Sequence, residues 1–153
     1  MHDYVTLEDR FEITQVLARY GHVMDRRDVA GLADVFAPDA TFDVTSVGGP
    51  KYRGLSELEA FLALGDSVHP PFHILSNAWV FRDGDVVSSL SKWLTIDQHT
   101  GLPRSGDYLD SWRRTSAGWR IAERVAQVRW TGGAWSGGYD RRSRDRRVES
   151  IES

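Results

Sequence analysis

The hydrophobic period of this chain shifts from mainly helical to strand-like between Gly65 and Phe72, and that shift limits the folds open to it. Up to Gly65 apolar residues recur mainly at three- and four-residue spacing; from Phe72 to Trp130 they alternate. Ile13, Val16, Leu17, Tyr20, Val23 and Met24 mark one face of a helix that starts after Thr6, with Asp9 completing an imperfect capping box. It is expected to run from about Leu7 to Met24. A short second helix is predicted from an Asp28 N-cap through Val29, Leu32, Val35 and Phe36, ending at Pro38. ATFDV (40–44) reads as a first strand and GGPKYRG (48–54) as a loop or short strand. Ser56 with Glu59 is a capping box for a third helix that stops at Gly65.

The remainder reads as four long strands. Phe72–Arg82 turns at Asp83-Gly84 into Val86–Asp97, then come Gly106–Thr115 and Trp119–Trp130. Helices first and a meander afterwards is an α+β plan: three N-terminal helices packed on a strongly curved antiparallel sheet, enclosing a pocket. Strict alternation puts His73, Leu75, Asn77, Trp79 and Phe81 on one face of the first long strand. It puts Tyr108, Asp110 and Trp112 together on the third, and Arg129 with Trp119, Ile121 and Val125 on the last.

At 153 residues, 41% hydrophobic and 27% charged, the chain is large enough for one core burying about two-thirds of its surface. A domain over 1–135 and a flexible charged tail over 136–153 are expected. The tail run RRSRDRR reads as a solvated segment, with partner binding as its alternative. Without cysteine there is no disulfide, thiolate site or thiol nucleophile. A net charge of −3 makes no case for nucleic acid, and no window reaches the ~18 apolar residues of a membrane span. The N-terminus lacks a signal-like basic and apolar run, so a cytoplasmic protein is expected.

Four polar residues sit where they need explaining. Asp25 lies at a helix C-terminus, where the dipole favours a cation; it is either a solvated member of the cluster Asp25-Arg26-Arg27-Asp28 or held by a partner. His73 on an apolar strand face is either a satisfied core residue or a base whose tautomer a carboxylate fixes. Asp110 is a protonated donor or an arginine's partner, and Arg129 either meets substrate charge or pairs with Glu123 or Asp25. A metal is not expected: Pro70 and Pro71 forbid the helix that His69 and His73 would need, and along a strand they are ~13 Å apart. No Gly-rich loop follows a strand, since GGAWSGG lies past the last one.

With these residues in view, the chain resembles the SnoaL-like branch of the NTF2-like (cystatin-like cone) superfamily. Within it the chain is most similar to the lyases that include scytalone dehydratase, bile acid 7α-dehydratase and hexachlorocyclohexane dehydrochlorinase. RYGHVMDRRDVAGLADVFAPDA, FHILSN, GDYLDSWRRTSAGWRIAER and VRW carry the likeness, over roughly Leu7 to Trp130. The resemblance implies a catalytic Asp25–His73 pair, with Tyr20 and Arg129 as assisting groups. Phe42, Val68, Asn77, Trp79, Trp93, Tyr108, Asp110 and Trp112 are the candidate substrate-binding set. It further implies elimination of water from a hydroxylated cyclic or polyketide-like small molecule without a cofactor, with an isomerase, a cyclase or a non-catalytic binding module of the same fold as alternatives.

The pattern departs from its relatives at several positions. Met24 stands where scytalone dehydratase has tyrosine, and His99 falls in a predicted turn, which argues against scytalone. Tyr20 replaces the dehydrochlorinase lysine, which argues against a halide. Tyr20 and Asp110 match the isomerase oxyanion pair, but the isomerase base position falls on Val44, with Asp43 pointing the other way. The lyases are trimers and the isomerases dimers, so a homo-oligomer is expected, a trimer before a dimer.

Overall fold

The computed structural model describes residues 5–130, the side chain of Ser67 excepted; the expected tail over 136–153 lies outside them. Helix α1 (Leu7–Arg26) begins at Thr6, whose hydroxyl accepts the Asp9 N–H at 3.1 Å, and buries the apolar face predicted for it. Strands β1 (Phe36–Asp43) and β2 (Lys51–Arg53) precede α2 (Gly54–Leu62); β3 (Ile74–Asp83), β4 (Val86–Ile96), β5 (Pro103–Thr115) and β6 (Gly118–Trp130) follow. They form one curved sheet in the order β2-β1-β6-β5-β4-β3. Helix α1 packs on β3 and β6 and α2 on β1, so the core and the site lie between the helices and the inner face of the sheet. No helix among the described residues is long and apolar enough to cross a membrane.

Three expectations are corrected. There are two α-helices among the described residues, not three: the expected second helix is a 3-10 turn over Ala30–Asp34, after which Phe36 already belongs to β1. Pro38 therefore sits inside a strand, where the β1–β6 pairing is interrupted between Phe36 and Thr41 and no ladder bond needs its missing N–H. The sheet is mixed, because β1 runs parallel to β6. And α2 starts at Gly54, with Glu57 Oε2 accepting the Arg53 N–H at 2.7 Å; Ser56 and Glu59 do not form the cap.

Alternation holds only between bulges. On β3 the two residues between Ser76 and Trp79 oppose one on β4, Ser91 between Lys92 and Leu90, and Asn77 takes a left-handed φ of 51°. The extra residue swaps the faces: Leu75 pairs with inward Trp93, but beyond the bulge Val80 is buried while Trp79 is 46% exposed. On β6, Glu123 and Ile121 oppose the adjacent Ser111 and Trp112, so the inward set changes from Trp119 and Ile121 to Arg124, Ala126 and Val128. A further bulge places Arg129 as the extra residue between Val128 and Trp130.

Candidate active site

Helix α1 delivers Tyr20 and Asp25 to one end of the cone, and the segment before β3 delivers His73. Gly21 allows the approach: a Cβ there would stand 3.2 Å from the His73 carbonyl oxygen. Arg27, in the left-handed conformation (φ 54°) that closes α1, reaches over the helix end to the 66–70 loop. Its guanidinium donates to the carbonyls of Met24, His69 (3.3 Å) and Pro70 (3.1 Å) and pairs with Asp66 at 2.9 Å. The cation wanted by the helix C-terminus is thus supplied by Arg27, which leaves the Asp25 carboxylate for another partner.

That partner is His73, whose Nδ1 lies 2.8 Å from Asp25 Oδ1. With the carboxylate accepting, Nδ1 carries the proton of the neutral ring and Nε2 has a free lone pair. The ring lines a cavity of about 250 Å³, whose walls include Met24, Phe42, Val44, Phe61, Val68, Trp93 and Ala126, with Tyr20 and Tyr108 among its polar groups. Trp93 reaches this wall across Gly106, where a Cβ would fall 2.6 Å from the indole and 1.8 Å from the Gln127 carbonyl oxygen. His69 also lines the cavity; its Nε2–H donates to the Phe61 carbonyl at 2.8 Å, and burial lowers its pKa.

Tyr20 and Tyr108 bring their hydroxyls to 3.2 Å. The Arg124 guanidinium lies 4.1 Å from both ring centroids and, through Nε and Nη2, forks onto Asp110 at 2.7 and 2.8 Å. Ser89 donates to Asp110, and Trp112 Nε1 to Ser89, so the pair is buried inside a hydrogen-bonded chain. Burial pushes the Tyr20 phenol up, and the Arg124 charge and the Tyr108 hydrogen bond only partly offset it. Burial and then Tyr20 itself push Tyr108 well above the ordinary tyrosine range. Burial works against the charge of Arg124, but the Asp110 carboxylate raises its pKa above the usual arginine value. Both phenols keep their protons at neutral pH. Since one donates to the other, one O–H remains for a ligand oxygen.

Of the residues singled out from sequence, Tyr20, His73, Phe42, Val68, Trp93 and Tyr108 line this cavity, and Asp25 reaches it through His73. Asn77, Trp79, Asp110, Trp112 and Arg129 do not. Asn77 and Trp79 are turned out by the β3 bulge, while Asp110 and Trp112 lie beneath the tyrosines in the Arg124 network. Arg129, at its bulge, donates through Nε to Asp107, which Lys92 also contacts. Sequence reasoning missed Arg124 and Arg27. The signal for Arg124 was Asp110, an inward carboxylate that needs a cation on a neighbouring strand.

Among described residues no group of three His, Asp or Glu side chains is placed to hold a metal.

Comparison with known proteins agrees with this architecture. A crystal structure from Novosphingobium aromaticivorans, named a candidate aromatic ring hydroxylase, shares 25% identity at a TM-score of 0.70, over 83% of this chain and 93% of its own. An NTF2-like protein with a cystatin-like fold from the same species shares 26% at 0.68, over 84% and 87%. Uncharacterized proteins of Mycobacterium bovis and Mycobacterium tuberculosis are each 32% identical over 130 residues, 78% of this chain and 84% of theirs. The SnoaL-like domain model matches residues 5–125. With that match over a cystatin-like fold, the chain belongs to the SnoaL-like domain family of the NTF2-like superfamily.

Proposed function

We propose that the protein is a cofactor-independent lyase, a dehydratase that removes water from a hydroxylated cyclic or polyketide-like small molecule. The observation that carries this reading is the Asp25–His73 hydrogen bond at the wall of an apolar cavity. In the proposed step His73 Nε2 takes a proton from the carbon next to a substrate carbonyl, and the electron pair moves onto the carbonyl oxygen. The free phenol O–H of the Tyr20–Tyr108 pair donates to that oxygen. As the enolate collapses, the β-hydroxyl leaves with the proton held by His73, giving water and a conjugated enone and returning the base. Asp25 holds the ring and supports the imidazolium between the two transfers.

The same phenol pair serves an isomerase or cyclase equally well, because it stabilises the enolate whether or not hydroxide departs. The test is a panel of cyclic β-hydroxy ketones, followed by the absorbance of the enone product. His73→Ala is expected to lower turnover by roughly 10²- to 10⁴-fold, and Asp25→Asn nearly as much, with the double variant little worse than either. Near-full turnover by His73→Ala would overturn the reading. Rearranged product without loss of water would favour the isomerase or cyclase.

A further inference from the structure

Arg104 stands on β5 opposite Thr95 of β4, and among the described residues it is the one lysine or arginine lining the cavity, with no aspartate or glutamate beside it there. The same side chain lines a second, outer hollow with Asp97 and His99. It therefore occupies the neck between the cavity and the exterior, 27% exposed. Its one ion-pair contact among the described residues is Asp97 at 3.7 Å, too long for a hydrogen bond.

Asp97 is itself engaged elsewhere. Its Oδ1 accepts the backbone N–H groups of His99 (3.0 Å) and Thr100 (2.8 Å) and the Thr100 hydroxyl, and these bonds, the Thr100 backbone N–H foremost, and least of all the Arg104 charge facing Oδ2, hold its carboxyl below the usual range. The Arg104 guanidinium makes no hydrogen bond to a described residue, so a planar fork of five N–H donors faces the neck of a mostly apolar cavity. Tyr108 lies four residues further along the same face of β5, ~13 Å at the rise of an extended strand. That span suits a body of two or three fused rings.

We infer that the cavity takes an amphipathic anion, with its ring body against Tyr108 and His73 and a carboxylate at the neck on Arg104. The inference rests on the cavity being a small-molecule site, as proposed above, but not on the elimination chemistry. It is tested by calorimetric titration of the full chain with 2-naphthoate and its uncharged analogue 2-acetylnaphthalene. The carboxylate is expected to bind roughly 10- to 100-fold tighter, the worth of a charge-assisted fork, and added salt is expected to narrow the gap. Arg104→Gln is expected to abolish the preference while leaving the ketone's affinity unchanged, which also shows that the variant is folded; Arg104→Lys is expected to keep part of it. Equal affinities for the two probes, a preference that survives Arg104→Gln, or binding of neither would each overturn the inference. Selective naphthoate binding without enone formation from any hydroxy ketone would sink the lyase reading and leave this one standing.

Discussion

Arg124 and Asp110, fully buried and joined by two hydrogen bonds of 2.7 and 2.8 Å, form the floor on which Tyr20 and Tyr108 rest. A buried ion pair adds little net stability over an apolar pair of similar volume, but removing one partner strands the other charge. Asp110→Asn is therefore expected to cost about 3–5 kcal/mol in urea denaturation. The double change Asp110→Leu with Arg124→Leu is expected to cost less than the single one. A single variant within experimental error of wild type would show that water already compensates Arg124.

Replacing either phenol separates chemistry from folding. Tyr108→Phe removes a hydroxyl whose hydrogen bond is worth about 0.5–1.5 kcal/mol, while the ring still covers Arg124. Turnover is expected to fall by roughly 10- to 10³-fold with the melting temperature lowered by only a few degrees, on the scale of a lost oxyanion donor. Unchanged turnover, followed on the enone assay, would remove the phenols from the mechanism.

His69 supplies a pH dependence whose sign follows from its burial. Its folded pKa lies below the unfolded value of 6.5, so the unfolded chain takes up this proton first as pH falls. The associated stability is fully present above 6.5 and is lost as pH drops through the folded value. Denaturation midpoints measured from pH 8 to pH 5 should decline in that window, and His69→Gln should flatten this part of the decline; a variant with the wild-type slope would assign it to other groups.

Arg27→Ala leaves the α1 backbone intact but frees the loop that carries His69 and leads to His73. A loss of about 1–3 kcal/mol is expected, together with a fall in kcat/KM approaching 10²-fold from misplacement of the base, with Asp25 and His73 themselves unaltered. Full activity in the enone assay would show that Asp25 alone positions the histidine.

Ile74, Trp79, Val86 and Leu94 leave a partly exposed apolar strip on the outer face of β3 and β4. A homo-oligomer, with a trimer preferred, is the expected state, and light scattering at micromolar concentration checks it. A monomer would leave the strip for another partner.

What was legible in the sequence is what depends on local period and caps. The Thr6 cap, the buried stripe from Ile13 to Met24 and the Asp83-Gly84 hairpin needed only spacing and turn chemistry. What was not legible depends on single extra residues. One bulge at Asn77 turned Trp79 outward, and another on β6 brought Arg124 in, because alternation carries no memory of face across a bulge. Pro38 read as a helix stop because its tolerance inside β1 is set by a gap in pairing with a strand more than eighty residues away. The Asp25–His73 pairing was visible only through resemblance; the apposition of Tyr20 with Tyr108 required three dimensions.

The parallel pairing of β1 with β6 also sets an order of assembly. Phe42 meets Arg124 in register, so the first strand waits for nearly the whole chain before its inner neighbour exists. During synthesis α1, β1 and α2 emerge with Tyr20, Phe36 and Phe42 still uncovered, and closing so long a loop must precede the contacts that reward it. The last strand is thus the closing wall of the molecule. A chain cut before β6 would expose the apolar side of the cone and the free edges of β1 and β5 together, the condition under which nascent chains aggregate or recruit chaperones.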